Sequence, residues 1–415
     1  MENTTKILAG ATCALAVAAA GGCWIYGIYA AGKAFDEAAL TNFETVLPAE
    51  LSARVTNYQG GFFKKIFVVS FEAAGGFRLG TFKGEAYPGI RTQVQLERAS
   101  DPDFETSLAR AGVRGFNDRI HVVYTAWDVI TSSAQTLPSS RFTYTIQPFS
   151  IASGGECRFE EFRFEAETGD TIKVSAKTPG IVCRPAGLSE FKLGNFSAAF
   201  ETDADSIAKA LQADETALAE TSFSLTLGPT VGGAVRFEGV DFRMRLTPEE
   251  GKETWQETVE FKLDNPASPA LYLELGQLGA IDYLQGSLRI TGITERLSEQ
   301  FAGILAGPAW LQSDLLTLSL LRAVQDDGVV MHVDSLTASV NGSEALLKGA
   351  IAGEDNRGTK LVTGRFAFEA VDTILPPDWI DDLAGRGYLL KEKGKVKSEL
   401  VLTPSHGMAN GVRFY

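Results

Sequence analysis

The sequence predicts a mostly β protein with a few helices (α+β), in which an N-terminal transmembrane helix precedes a long, curved antiparallel β-sheet. Three observations lead to this fold class. Residues 7–32 form a run of 26 uncharged, largely apolar residues. Most of the remaining chain alternates apolar and polar residues with a period of two, which is typical of strands with one buried face. Such strands belong to antiparallel sheets, because parallel sheets are covered on both faces.

The first predicted element is a membrane anchor over residues 1–33. A helix rises about 1.5 Å per residue, so the uncharged run is long enough to cross a hydrocarbon core about 30 Å thick. Trp24, Tyr26 and Tyr29 lie near the end of this run, where amphipathic rings favour the membrane interface. We therefore expect one retained helix to hold the body at a membrane.

Two alternatives to a retained anchor stay open. The small residues 18–20 could precede a signal-peptidase cut, and Cys23 after Ala20-Gly21-Gly22 could be lipidated. The apolar run continues beyond both points through Trp24 to Tyr29, which favours retention. The basic residues are slightly in excess on the N-terminal side, and the positive-inside rule then predicts a short cytoplasmic tail and an exported body.

The body divides by composition into a helical stalk and two β-rich halves. The stalk is predicted over residues 34–48 and should end near Pro48. The first half then covers 49–230, and the second half covers 231–415 with helices near 294–324. The Gly- and Pro-containing segment 228–233 marks the boundary, although the body could also be one continuous domain.

The composition of the chain excludes a disordered protein and argues against one class of partner. A hydrophobic content of 45% and 26 phenylalanines exclude a disordered chain. The net charge of −14 argues against a nucleic-acid partner.

Period-two alternation predicts individual strands at five places: 222–227, 259–264, 271–275, 366–370 and 395–402. The alternation changes phase at Gly239 and again between Val333 and Leu336. A change of phase inside a strand indicates a bulge or a bend, and bent strands with one apolar face would give a curved sheet.

Helical periodicity is found in four segments: 101–111, 205–217, 294–306 and 313–324. The last segment is rich in leucine. Its Leu315, Leu316 and Leu320 are a candidate apolar surface for a lipid or a partner. Burial in the core is the favoured interpretation, because apolar stripes at helical spacing usually pack inside a protein.

Two of the four cysteines are predicted to form a disulfide. Cys13 and Cys23 fall inside the apolar run, whereas Cys157 and Cys183 flank two alternating segments that meet at a turn around Gly169. Folding this hairpin brings Cys157 close to Cys183, and an exported body lies in an oxidising compartment.

The sequence contains no motif that predicts catalysis, a cofactor or a metal. His121, His332 and His406 are far apart and are expected to be structural. Ser206 and Lys209 match a short serine–lysine motif without its accompanying elements. The acidic pairs 326–327 and 381–382 are expected to be solvated loop charges, because adjacent side chains on a strand point apart.

The segment after the stalk resembles the YdgA-like family of bacterial envelope proteins of unknown function. In that family an N-terminal membrane helix leads to a Tyr-x-Arg-Gly-aromatic-Phe segment that opens the first strand. Tyr58, Gly61, Phe62 and Phe63 match this pattern, whereas Gly60 replaces the arginine. The resemblance implies a single-pass inner-membrane anchor and a periplasmic β-rich body, and it supplies no catalytic residues.

Three functions are compatible with these features. The first is a non-enzymatic, membrane-anchored envelope protein that binds a protein or an envelope component. The second is a lipid carrier with an apolar β-groove, and the third, less favoured, is an envelope hydrolase. An open apolar trough would favour the carrier, and a filled face would favour an ordinary core.

Overall fold

The computed structural model describes most of the body and the end of the predicted anchor. The described residues are 31–33, 35–37, 39–42, 51–73, 77–89, 91–125, 139–187, 189–204, 218–233, 235–267, 280–298, 300, 318–356 and 359–415. Within these residues, no helix is both long and apolar enough to span a membrane. The predicted anchor falls almost wholly outside them.

The chain forms two compact units, Met1–Val174 and Ser175–Tyr415. The sequence predicted a boundary at 230/231 instead, which lies within the second unit. There the Gly- and Pro-containing segment is not a linker, because residues 230–232 form a strand that pairs with residues 191–193.

The first unit is built on seven antiparallel strands. They pair in the order β1-β2-β3-β4-β6-β7-β10. Their bounds are β1 (Leu51–Gly60), β2 (Lys65–Ala73), β3 (Phe77–Tyr87), β4 (Arg91–Arg98), β6 (Asp118–Thr125), β7 (Ser140–Ile146) and β10 (Phe162–Thr168). A small sheet adds β5 (Val113–Arg114), β8 (Phe149–Ile151) and β9 (Gly155–Phe159) in the order β5-β8-β9. Strand β11 (Thr171–Thr178) contains the division between the units.

The second unit is a longer antiparallel sheet. It runs in the order β14-β15-β18-β19-β20-β21-β22-β23-β25, with β24 and β26 on the far side of β25 and β27 beside β26. The bounds are β14 (Phe196–Asp203), β15 (Thr221–Leu227), β18 (Gly239–Pro248), β19 (Trp255–Asp264), β20 (Ile281–Ile293), β21 (Val330–Val340), β22 (Ser343–Asn356), β23 (Thr359–Val371), β24 (Leu390–Glu392), β25 (Lys395–Thr403), β26 (His406–Ala409) and β27 (Val412–Arg413). A four-stranded sheet adds β12 (Ile181–Pro185), β13 (Phe191–Leu193), β16 (Thr230–Gly232) and β17 (Val235–Phe237).

The mostly β, antiparallel fold class is confirmed, and one of the two phase changes marks a bulge. Ser287 pairs with Ser335, but Leu288 pairs with Val333, so Asp334 is an extra residue in β21. At Gly239 the phase change coincides with a bend at Glu238 rather than with a bulge. Here β17 ends in the four-stranded sheet and β18 begins in the long sheet, so the phase changes because the chain changes sheets.

The helices agree in part with the sequence. Helix α1 (Pro102–Arg110) matches the predicted segment 101–111, and Asp101 caps it by accepting a hydrogen bond from the Phe104 amide. Helix α2 (Pro377–Gly385) was not predicted. Residues 295–298 begin the predicted helix 294–306, and residues 318–322 continue into a short π-helix, Ala323–Asp327. The predicted helix 205–217 and strand 271–275 lie outside the described residues.

The described part of the predicted stalk is helical at first and packs against the first unit. Residues 31–40 are helical where described, and Asn42 adopts a positive φ of 53° directly after the turn that ends the helix. Phe35 and Ala39 are buried against Phe67 and Phe82 of the sheet. The helix therefore ends at the turn of residues 41–42, and its apolar side covers the first unit's sheet, whereas residues 43–50 lie outside the described residues.

Candidate functional site

The family-like motif forms the turn between β1 and β2. We call Gly61–Lys64 the β1–β2 tip. The Gly61 amide donates to the Lys64 carbonyl oxygen at 3.0 Å, and a Cβ at Gly61 would lie 2.6 Å from that oxygen. Only glycine fits this close approach without a shift of the backbone. Phe62 and Phe63 project from the tip, 46% and 64% exposed.

A partly buried ion pair lies directly beneath the β1–β2 tip. Lys65 is only 5% exposed, and its Nζ lies 2.9 Å from the Asp36 carboxylate of the N-terminal helical segment. The Tyr58 hydroxyl donates to the same carboxylate. Burial first, and then Asp36, raises the pKa of Tyr58, so this hydroxyl stays protonated at neutral pH. These contacts attach the helical segment to the first two strands.

Sequence reasoning identified Tyr58 by the resemblance but missed Asp36 and Lys65. The side chains are 29 residues apart, and neither stands in a pattern that predicts pairing. Asp36 follows Lys33 in an ordinary charged stretch, and Lys65 opens a strand. Their pairing depends on how the helical segment crosses the sheet.

The second candidate feature is the apolar side of the long sheet in the second unit. Two adjacent cross-strand rows define it, and we call them the apolar face. One row contains Ala198, Leu225, Phe242, Phe261, Gly286, Leu336, Leu347 and Phe368. The other contains Phe200, Phe223, Met244, Val259, Leu288, Val333, Gly349, Phe366 and Leu400.

None of the large apolar side chains in these two described rows is fully buried. In the first unit, by contrast, the helical segment leaves Phe67 1% and Val69 0% exposed. In the described part of the second unit, helical cover is found towards the strand ends. Around α2, Ile380 packs with Val340 and Ala370, and around the π-helix, Val324 packs near Met331 and Ile351. The apolar face lies between these two buried clusters.

The predicted leucine surface is described only in part. Leu315 and Leu316 lie outside the described residues. Leu320 packs against the buried cluster of Leu297, Ala323, Val324 and Val329. Leu318 and Leu321 are the exposed leucines of the described part of this segment, at 54% and 42%.

The predicted disulfide is confirmed, since Cys157 on β9 and Cys183 on β12 are bonded. The alternating segments between them are β10 and β11, as the sequence indicated. Cys13 and Cys23 lie outside the described residues.

The histidines occupy three separate strands. His121 lies on β6, His332 on β21 and His406 on β26. The Nε2 atom of His121 is buried without a hydrogen-bond partner. The Nδ1 atom of His406 lies 3.0 Å from both Thr403 Oγ1 and Ser405 Oγ, within the turn between β25 and β26. This Ser405–His406 contact joins neighbours in one turn.

The acidic pairs were expected in loops, but they lie in helices. Asp327 of the π-helix pairs with Arg296 at 2.9 Å. In α2, Asp381 pairs with Lys391 and Asp382 pairs with Arg386. Asp327, Asp381 and Asp382 each have their own basic partner, which does not resemble a shared catalytic dyad. Ser206 and Lys209 lie outside the described residues.

A shallow polar cavity of about 310 Å³ lies in the first unit, lined by residues that include Arg91, Tyr124, Arg141 and Glu167. Arg141 forms a double hydrogen bond with Glu167, both at 3.1 Å, so its charge is already compensated. Within the described residues, no group of three or more His, Cys, Asp or Glu side chains could hold a metal ion.

Comparison with known proteins adds no further constraint. The resemblance to the YdgA-like family rests on the four motif residues and on the layout of the chain. No family model, no curated protein and no solved structure matches this chain.

Proposed function

We propose that this chain is a non-enzymatic, membrane-anchored protein of the bacterial envelope, whose periplasmic body binds a lipid along the apolar face. The observation that carries the proposal is the partial exposure of that face. Its two rows run across eight and nine neighbouring strands, and their large side chains stay partly exposed while the clusters beside α2 and the π-helix are buried. An extended apolar surface of this kind is typical of a binding site.

The chemistry of the face favours an acyl chain over a polar ligand. Leucine, valine and phenylalanine supply the contacts, and the aromatic pair Phe223–Phe242 lies with ring centroids 6.1 Å apart. The charged residues of the same strands, such as Arg243 and Arg245, are exposed on the opposite side. A ligand on the apolar face would therefore gain mainly from the removal of apolar surface from water.

The lipid proposal is tested by two matched variants on one strand. Phe242→Glu places a carboxylate on the apolar face, and Arg243→Glu places one on the opposite face. We expect both full-length variants to keep the circular dichroism spectrum and melting temperature of the wild type. Phe242→Glu should lose crosslinking to a diazirine-bearing phospholipid in proteoliposomes, and Arg243→Glu should keep it.

Two outcomes would contradict lipid binding. If Phe242→Glu unfolds while Arg243→Glu does not, the face is a core, because a buried unpaired carboxylate is costly. If the wild-type protein does not crosslink to the phospholipid, the face does not bind lipid.

The anchor is tested separately, since a retained helix keeps the full chain in the membrane pellet after alkaline carbonate washing, whereas a cleaved chain is released.

A further inference from the structure

The β1–β2 tip exposes two aromatic rings side by side. Phe62 and Phe63 pack edge to face with centroids 4.8 Å apart, and most of the Phe63 side chain faces solvent. Ile66, the second residue of β2, is also 43% exposed. Exposure of grouped apolar side chains to water is unfavourable. A partner that covers them would gain the free energy of removing this apolar surface from water.

The tip is held in an outward position by its own contacts. The Gly61–Lys64 hydrogen bond closes the turn, and the Lys64 ammonium lies 2.7 Å from the Glu85 carboxylate. The same ammonium lies 5.5 Å from the centre of the Tyr87 ring. The phenylalanines therefore lie at the outer end of the β1–β2 turn, and the Lys64–Glu85 ion pair and Tyr87 lie behind them.

The uncharged run of the sequence ends beside this tip. Gly32 is the last residue of that run, and a Cβ placed on it would lie 3.7 Å from Lys65 Nζ and 3.7 Å from Pro88 Cβ. Pro88 belongs to the turn between β3 and β4, at the same end of the strands as the β1–β2 tip. Gly32 is thus placed next to the base of the tip.

We propose that Phe62 and Phe63 insert into the interface of the phospholipid bilayer that holds the N-terminal anchor. This rests on the membrane anchor of the proposed function. Phenylalanine rings bury apolar surface at the boundary between the headgroups and the acyl chains. The body is then attached at two points, the anchor and the tip, which fixes its orientation to the membrane.

The test places a fluorescent label at the tip of the full-length protein. Cys13→Ala and Cys23→Ala remove the other thiols and leave the Cys157–Cys183 bond. Phe63→Cys then carries an NBD label, with Phe62→Cys as a second position. The control is Ala109→Cys, at an exposed residue of α1. This helix follows the end of β4 that lies away from the β1–β2 tip. All are reconstituted in vesicles of phosphatidylethanolamine and phosphatidylglycerol.

We expect the tip label to show blue-shifted emission, quenching by nitroxide-labelled lipids and little quenching by aqueous iodide. The control label should show the reverse. If the protein floats with the vesicles but iodide quenches the tip as strongly as the control, the tip inference fails and the anchor stands. Blue-shifted emission without nitroxide quenching would place the tip against protein and overturn the bilayer contact. A chain that does not float with the vesicles would overturn both proposals.

Discussion

At the scale of single residues, several glycines lie beneath phenylalanine rings of the neighbouring strand, and three of them are in very close contact. Phe67 lies over Gly84, Phe261 over Gly286 and Phe366 over Gly349, each pair directly opposite in register. A Cβ on any of these glycines would come within 2.3–2.6 Å of a ring atom. The absence of a side chain therefore lets each ring lie along the sheet, a known way to support glycine in a strand.

Gly349 gives the sharpest prediction, because its neighbours include backbone. A Cβ there would lie 2.1 Å from the Arg365 carbonyl oxygen, which cannot move as a flexible side chain can. We expect Gly349→Ala to lower the free energy of unfolding by about 1–3 kcal/mol, measured by urea denaturation. The control is Gly169→Ala, where nothing lies within 4 Å of the added Cβ. Equal stability of the two variants would show that the strand adjusts without cost.

At the scale of elements, Arg98 joins β4 to α1 and to the neighbouring strands. Its guanidinium lies 4.7 Å from the Phe82 ring and 4.3 Å from the Phe104 ring. It donates two hydrogen bonds to Asp118, which is 1% exposed and also accepts from the Tyr144 hydroxyl at 2.8 Å. Burial first, and then Asp118, raises the pKa of Tyr144, so this donor keeps its proton.

Removal of one charge from this pair should be costly. Asp118→Asn removes the carboxylate charge that faces the Arg98 guanidinium, and breaking such a buried pair costs about 3–5 kcal/mol. We expect a lower midpoint of thermal unfolding for this variant. Asp170→Asn, in an exposed turn of the same unit, should leave the midpoint unchanged. An unchanged midpoint for Asp118→Asn would mean that the pair is replaced without loss, by water or by rearrangement.

At the scale of the whole molecule, the disulfide constrains the unfolded chain. Cys157 and Cys183 close a loop of about 26 residues, which corresponds to roughly 3 kcal/mol in the chain-entropy model. We expect the Cys157→Ala/Cys183→Ala double variant to unfold at a lower urea concentration than the wild type. Thiol labelling of the unfolded wild type should detect these cysteines only after a reductant is added. Labelling without reductant would contradict the bond.

The family resemblance concerns the β1–β2 tip, whereas the lipid proposal rests on the apolar face of the second unit. Tyr58 and Gly61 explain the geometry of the β1–β2 tip, since one contacts Asp36 and the other closes the turn. Phe62 and Phe63 make no comparable contribution to the core, which is why we assign them to a bilayer. The apolar face of the second unit has no counterpart among the motif residues, and it carries the lipid proposal.

The sequence by itself determined several of the strands, the start of α1 and the disulfide. These depend on neighbouring residues: the alternation along β15 and β19, the Asp101-Pro102 helix start, and two cysteines beside a turn. Only the tertiary structure decided where the chain divides, that Asp36 pairs with Lys65, and that Phe35 covers the first sheet. It also decided that the apolar face stays partly exposed. The physical reason is that the alternation of a strand marks which side is apolar, whereas segments distant along the chain determine whether that side is covered.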